Sequence, residues 1–302
     1  MILGLDIGGT SCKMAFSDGH KLLSDIAEKP TNVNNYQFPV IDMVVQGVKT
    51  YLRENPVDFA GIGVSATGQI DTQTGVVIGT GKNVGKYEGT PIKQILEKEF
   101  NKPVTVLNDA NAAALGETVA GSAVNKKAVL MLTLGTGVGC GIVIDGKVYG
   151  GARGIAGEAG HMTLYKGGLP CGCGRCGCFE LYASTTALVR QAKEKTQYTE
   201  LNGRIIFEKA KQGDLNMLSL LDTWIDDIAY GASSLVHILN PDVIVIGGGV
   251  SAQQELLIEP LIKKIKAYAM PCFSENLYVT PAKLGNSAGL IGAVAYWIER
   301  KA

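Results

Sequence analysis

Between Glu158 and Glu180 the chain sets two carboxylates around five soft or borderline metal ligands. The residues run Glu158-Ala-Gly160-His161 and then Cys171-Gly172-Cys173-Gly174-Arg175-Cys176-Gly177-Cys178-Phe179-Glu180. A tetrahedral zinc takes four ligands, so His161 and the four cysteines offer one too many. The spacing differs from the familiar pair of Cys-x2-Cys knuckles, and it points to zinc without assigning the ligands. Gly172, Gly174 and Gly177 are expected to let the loop curl until its sulfurs face one centre, because glycine reaches positive φ at no steric cost. Disulfides are the alternative, and they belong to an oxidising compartment.

Two further groups could do chemistry. Asn108-Asp109 follows an apolar run and precedes an alanine-rich one, so the pair reads as a helix cap or as a carboxylate presented at a helix start. Glycine-rich turns occur at Asp6-Ile-Gly8-Gly9-Thr10 and Leu134-Gly135-Thr136-Gly137, where backbone N–H groups can hold phosphate. Neither fits Gly-x4-Gly-Lys-[Ser/Thr], which excludes a P-loop. Gly247-Gly248-Gly249-Val-Ser-Ala252 and Gly61-Ile-Gly63-Val-Ser-Ala66 match the loose dinucleotide fingerprint. The first lies too near the C-terminus to open a nucleotide domain, and Gly248 and Gly249 read as a turn against an adenine face or as a tight turn only.

These groups need elements to position them, and the elements repeat. Displacing the chain by 127 residues brings Gly8 onto Gly135, Ala15 onto Ile142 and Asp18-Gly19 onto Asp145-Gly146. Both segments read as strand, small-residue turn and returning strand, which implies two related α/β halves. Strands are expected at 21–28, 61–66, 104–107 and 242–246. Helices are expected at 36–54, 91–100, 109–120, 184–195, 204–212, 214–239, a stretch ending near 269, and 287–300. Strands separated by helices predict mostly parallel sheets covered on both faces. The expected domains are 1–118, joined by the C-terminal helix at about 287–302, and 119–286, which carries the metal loop.

Composition narrows the function classes. The 302 residues are 46% hydrophobic and carry 28 basic against 28 acidic side chains, so no basic footprint marks nucleic acid as a partner. No apolar run approaches a membrane span, and the N-terminus lacks the pattern of a signal peptide. The expected location is the cytoplasm, where the seven cysteines would be thiols or ligands.

Asp6-Ile-Gly8-Gly9-Thr10-Ser-Cys-Lys13, the Gly135-Thr136-Gly137 turn, Glu158-Ala-Gly160-His161, the Cys171-to-Glu180 run and Ile246-Gly-Gly-Gly-Val, in that order, resemble the ROK family of sugar kinases and repressors. The resemblance covers essentially the whole chain. It implies the duplicated ribonuclease-H-like fold of the actin/hexokinase type, an α/β fold with two domains around a cleft. It also implies an ATP-dependent hexose or N-acylhexosamine kinase that works as a homodimer or homotetramer on small molecules, with no nucleic acid and no membrane partner.

Residue roles follow from the same resemblance. ATP phosphates would meet Gly8, Gly9, Thr10 and Lys13 and the turn at Gly135, Thr136 and Gly137, while the adenosine approaches Gly248 and Gly249. Asp6 would hold Mg²⁺ through water. Gly68, Asn83, Asn108, Asp109, Glu158, His161 and Glu180 would surround the sugar, with Asp109 also the catalytic base. The family pattern assigns a structural Zn²⁺ to His161, Cys171, Cys173 and Cys178, leaving Cys176 spare. His161 would then bind metal through one ring nitrogen and a sugar hydroxyl through the other.

Two positions depart from that pattern. Thr67 stands where many family kinases carry proline, and Tyr87 replaces the tryptophan of the glucokinase segment that aligns with residues 81–87. Glucose, mannose, fructose, N-acetylmannosamine, N-acetylglucosamine and a β-glucoside therefore stay open as acceptors. Family repressors carry a DNA-binding helix-turn-helix ahead of the sugar domain; here the first strand starts at residue 2, so a repressor is not expected. A sugar sensor without catalysis is the remaining alternative.

Overall fold

The computed structural model describes residues 1–32, 35–80, 84–198 and 200–301. Asn83, expected at the sugar, lies outside the described residues. In chain order the first elements are β1 (Ile2–Ile7), β2 (Ser11–Ser17), β3 (Ala27–Pro30), α1 (Val40–Glu54), β4 (Ile62–Ala66), β5 (Gln69–Asp71) and β6 (Val76–Gly79). After them come α2 (Ile92–Phe100), β7 (Val104–Asn108), α3 (Asp109–Ala120), β8 (Ala128–Leu134), β9 (Val138–Ile144) and β10 (Lys147–Val148). The remainder comprises α4 (Glu180–Ala183), α5 (Thr185–Lys195), α6 (Gly203–Lys211), α7 (Leu215–Leu239), β11 (Val243–Gly247), α8 (Glu259–Tyr268), α9 (Pro271–Ser274), β12 (Tyr278–Pro281) and α10 (Ala288–Lys301).

The repeat read from the sequence is present as topology. One sheet orders β3-β2-β1-β4-β7 and the other β10-β9-β8-β11-β12. In the first, β1 runs antiparallel to β2 and parallel to β4, which is parallel to β7. In the second, β11 is parallel to both β8 and β12. The β5-β6 hairpin and β12 escaped the sequence reading because each has only three or four residues, too few to display a period.

Contacts divide the chain into two units. One holds Met1–Asn125, Gly141–Gly157 and Leu284–Ala302; the other holds Lys126–Cys140 and Glu158–Lys283. In the first unit, alternation along the strands gives the sheet two different faces. Leu3, Leu5 and Ile7 of β1 join Val44, Val48 and Tyr51 of α1 in the larger core. The opposite face carries Gly4, Asp6, Gly61 and Gly63 and receives α10. A methyl group on Gly4 would stand 3.1 Å from the Leu290 carbonyl, and one on Gly63 would overlap the Ala293 carbonyl. The Gly61-x-Gly63 match to a dinucleotide fingerprint is therefore explained by helix packing.

Small residues also set the contact between α3 and α10. Methyl groups on Gly116 and Gly292 would collide with the backbones of Ala288 and Ala112, so the helices meet backbone to backbone. Glu117, fully buried, fixes the ends of both segments. Its Oε1 accepts from the Leu284 N–H at 2.7 Å and its Oε2 from the Ser122 N–H at 2.7 Å. In the second unit α7 is the central helix, with Trp224 buried on it and donating to the Ser184 carbonyl at 3.1 Å. No helix among the described residues is long and apolar enough to cross a membrane.

Candidate active site

In the first unit, β7 ends at Asn108 and α3 begins at Asp109. Asn108 is the helix cap, as its type suggests: Oδ1 accepts from the N–H groups of Ala110 and Asn111 at 3.0 and 3.2 Å. Its other end has a second task. Nδ2 donates to the Gly68 carbonyl and to Asp109 Oδ1, each at 2.9 Å. Gly68 sits at φ +92°, in the left-handed region that favours glycine. Asp109 Oδ1 also accepts from its neighbour Ala110 N–H at 2.8 Å, and the Thr67 side chain hydrogen-bonds the same carboxylate.

Asp109 is thus held on one oxygen by fixed donors, yet it keeps a high proton affinity. Burial and then the negative charge of Asp6 push its pKa up to about 6, against the opposing pull of those hydrogen bonds. Asp6 itself is raised, first by burial, while a hydrogen bond from Ser65 and the Lys13 charge oppose that shift. The Ser65 hydroxyl donates to Asp6 Oδ1 at 2.7 Å. Sheet register explains the grouping, since Asp6 pairs with Lys13 on β2 and with Ser65 on β4. The sequence singled out Asp6 and Lys13; Ser65 was missed because a serine in an apolar strand gives no signal before the register is known.

The Gly8-Gly9-Thr10 turn joins β1 to β2 and is closed by the Gly8 N–H donating to the Ser11 carbonyl at 2.9 Å. Tyr36 donates to the Gly9 carbonyl at 2.9 Å, and Lys13 Nζ donates to Asn286 Oδ1 at 3.0 Å. Tyr87, the departure from tryptophan, lies in the core, and its hydroxyl has no partner among the described residues. Its pKa is driven up by burial and then by the nearby Asp109 charge.

In the second unit, the metal loop has almost no regular structure. Turns shape it: the Cys171 N–H donates to the Arg175 carbonyl at 2.8 Å, the Gly174 N–H to the Cys171 carbonyl at 3.0 Å and the Gly177 N–H to the Leu169 carbonyl at 2.8 Å. Gly174 and Gly177 take positive φ, as expected, at 89° and 78°; Gly172 does not. One ligand atom from each of His161, Cys171, Cys173 and Cys178 lies within 4.8 Å of every other. Cys173 and Cys178 sulfurs stand 3.6 Å apart, and Cys171 Sγ is 3.7 Å from His161 Nδ1. Ligands about 2.3 Å from a tetrahedral zinc are separated by roughly 3.8 Å, so both the donor set and its spacing fit. Cys176 is exposed and outside this set.

The ring of His161 divides its two nitrogens between neighbours. Nδ1 faces the cysteines and lies 3.5 Å from Glu180 Oε1, whereas Nε2 lies 3.8 Å from Glu158 Oε2. Glu180 also links the cluster to the second glycine turn. Its Oε1 accepts from the Cys171 thiol at 3.2 Å, and its Oε2 lies 2.6 Å from where a Cβ on Gly137 would stand. A side chain on residue 137 would push the Glu180 carboxylate away from the turn. The Gly135-Thr136-Gly137 turn is tied to the start of α5, where the Thr185 N–H donates to the Gly135 carbonyl at 3.0 Å.

Beside that turn is an open pocket of about 480 Å³. Gly135, Thr136, Gly249 and the first residues of α5 and α6 line it. Gly249 has open space where a side chain would stand, while Gly248, at φ +97°, packs against the backbone of Leu134. The α5 and α6 contributions were not read from the sequence, although Ser184 and Asn202 are ordinary cap residues that mark both helix starts.

Comparison with known proteins agrees with this architecture. A glucokinase from Halalkalibacterium halodurans is 38% identical, over 96% of this chain and 92% of that protein. The crystal structure of a ROK hexokinase from Thermus thermophilus superposes with a TM-score of 0.84 at 34% identity, covering 100% of this chain and 99% of the other. A ROK glucokinase from Streptomyces griseus, solved with glucose and AMPPNP, superposes with a TM-score of 0.85 at 31% identity, covering 98% of both chains. These neighbours have the two-domain actin/hexokinase-type fold. The ROK family pattern itself matches residues 2–300, and the chain belongs to the ROK family.

Proposed function

We propose that this ROK sugar kinase phosphorylates the 6-hydroxyl of a hexose or N-acylhexosamine, glucose or N-acetylmannosamine, with Asp109 as general base. The observation that carries the reading is Asp109: a carboxylate fixed by Asn108 and Ala110, with its pKa brought to about 6 by burial and Asp6. Such a group is mostly deprotonated at neutral pH and still basic enough to take a proton as the hydroxyl attacks.

The sugar oxygen forms a bond to the γ-phosphorus, the bond from phosphorus to the β–γ bridging oxygen breaks, and ADP leaves with its electron pair. The hydroxyl proton passes to Asp109. Little covalent chemistry falls to the protein beyond this, so positioning and charge neutralisation dominate. Asp6, with Ser65 donating to one oxygen, leaves carboxylate lone pairs for the water shell of Mg²⁺. When bound, Mg²⁺ supplies positive charge to the nucleotide phosphates. Gly8, Gly9 and Thr10, and separately Gly135, Thr136 and Gly137, offer backbone N–H groups to phosphate oxygens.

Asn108, Glu158, His161 and Glu180 are the sugar partners in this reading. His161, Cys171, Cys173 and Cys178 would hold Zn²⁺, which when bound orients the loop bearing His161 and Glu180. With Nδ1 toward the cysteines, Nε2 is the nitrogen left for a sugar hydroxyl. The relatives named glucokinase and hexokinase favour a hexose acceptor, and the Tyr87 departure keeps N-acetylmannosamine beside glucose.

ADP release from Mg-ATP is the test, run with glucose, mannose, fructose, N-acetylmannosamine, N-acetylglucosamine and a disaccharide. Turnover with glucose or N-acetylmannosamine supports the proposal. ATP-dependent turnover confined to another sugar overturns the acceptor assignment, and silence with metal retained favours a sensor.

A further inference from the structure

Taking the Gly8-Gly9-Thr10 turn as a phosphate site of the proposed kinase, we infer that Thr31 and Tyr36 are positioning residues for the phosphoryl donor. They hold the carbonyls of the turn so that its N–H groups are aimed at phosphate. Within a trans peptide the C=O and the N–H of the next residue point in opposite directions. A donor that engages a carbonyl from one side therefore turns the following N–H toward the other.

One segment engages three successive carbonyls of the turn. The Gly8 carbonyl accepts from the Thr31 hydroxyl at 3.1 Å, and the Gly9 carbonyl accepts from the Tyr36 hydroxyl at 2.9 Å. The Thr10 carbonyl accepts from the Thr31 N–H at 2.9 Å and from the Asn32 N–H at 3.3 Å. The first two bonds direct the N–H groups of Gly9 and Thr10 away from Thr31 and Tyr36. Successive N–H groups facing one way form an anion-binding concavity, and here the negative ends of the carbonyls are turned out of it.

Both side chains are built into this arrangement. Thr31 directly follows β3, whose Pro30 pairs with Ser11 at the edge of the turn, and it is fully buried. Tyr36 takes φ +58°, a region uncommon for a bulky residue, and its N–H donates to Asn32 Oδ1 at 3.0 Å. Two glycines leave room for its side chain. A Cβ on Gly85 would stand 3.2 Å from Tyr36 Cβ, and one on Gly9 would stand 3.5 Å from the Tyr36 hydroxyl. The duplicate turn in the second unit shows the same device in a simpler form. There the Thr185 N–H engages the Gly135 carbonyl at 3.0 Å, which directs the Thr136 N–H away from the start of α5.

Calorimetric titration with Mg-ATP, and with whichever sugar the panel accepts, tests the inference in the full chain and in Tyr36→Phe, Thr31→Val and Thr31→Ser. Thermal melting accompanies it as the check on folding. Tyr36→Phe and Thr31→Val remove a hydroxyl and keep the shape, and each should weaken Mg-ATP binding by about 3- to 10-fold. Sugar affinity should stay within about 2-fold, and Thr31→Ser should restore Mg-ATP affinity to within about 2-fold of the parent. Unchanged Mg-ATP affinity in Tyr36→Phe and Thr31→Val, equal losses for nucleotide and sugar, or a Thr31→Ser that behaves like Thr31→Val overturns the inference. Tyr36→Phe decides alone if the buried Thr31 variants do not fold. If no sugar is phosphorylated, the Mg-ATP titrations still decide. A loss in Tyr36→Phe at unchanged melting temperature then sustains the positioning role while the kinase reading fails, and a parent protein that binds no Mg-ATP overturns both.

Discussion

The Asp109 region and the metal loop solve the same problem, holding carboxylates in place, by opposite means. Asp109 is fixed where a strand ends and a helix begins. Asn108 and Ala110 donate to it, and Asn108 is itself anchored on the Gly68 carbonyl. Glu158 caps and His161 ends a single turn of helix, Glu180 opens the four-residue α4, and their neighbours are thiols with sulfurs 3.6 Å apart. One site is held by secondary structure, whereas the proposed zinc would tie the other together. In the proposed function the chemistry that tolerates little displacement falls to the first and recognition to the second.

Breaking the fixed side should give the largest effect on rate. Asp109→Ala is expected to lower kcat by about 10²- to 10⁴-fold while sugar and ATP affinities stay within several-fold, because a general base acts mainly in the transition state. Steady-state kinetics with calorimetric binding would check this, and near-normal turnover would remove Asp109 from the mechanism.

Stripping the metal should act on the other side. Chelation, or Cys178→Ser at a fully buried position, is expected to release one zinc per chain and lower the melting temperature. A metal present at about 1,000 times its Kd contributes roughly 4 kcal/mol. For a chain of this size that corresponds to about 6 °C. Metal analysis with thermal melting reads both quantities. Unchanged stability after complete metal loss would mean that the loop is preorganised after all.

Gly292→Ala tests the frame under the fixed site without touching its chemistry. The added methyl would overlap the Ala112 carbonyl, and forced packing of this kind costs about 1–3 kcal/mol, readable by denaturant unfolding. The smallest effect is expected from Cys176→Ser, since this thiol is exposed and outside the ligand set. Zinc content and melting temperature should match the parent protein, and loss of metal would promote Cys176 to a ligand.

The two regions were also unequally legible in the sequence. Paired strands ending in Asp-Gly exposed the duplication, and the cysteine spacing exposed a metal site, because both are patterns over short distances. Asn108 looked like a cap and is one; its second bond, to Asp109, depends on Gly68 lying forty residues back in the chain. Ser65 and Glu117 gave no signal, since one acts through strand register and the other through contacts with a segment 167 residues away. The pocket beside Gly135 and Gly249 was half seen through its glycine turn. Its other wall is made by the starts of two helices whose meeting is a tertiary fact.

The proton affinity of Asp109 is the central quantity, and the pH dependence of kcat/KM for the sugar at saturating Mg-ATP measures it. The rate should fall as pH drops through about 6, because the base must be deprotonated and its pKa is about 6. Removing the negative charge in Asp6→Asn should move that limb to lower pH, whereas removing a hydrogen bond to the carboxylate in Thr67→Val should move it higher. Phosphate also titrates near pH 6, so the limb must disappear from the residual activity of Asp109→Asn. A limb that persists in that variant, or one that neither neighbour moves, would contradict Asp109 as the base.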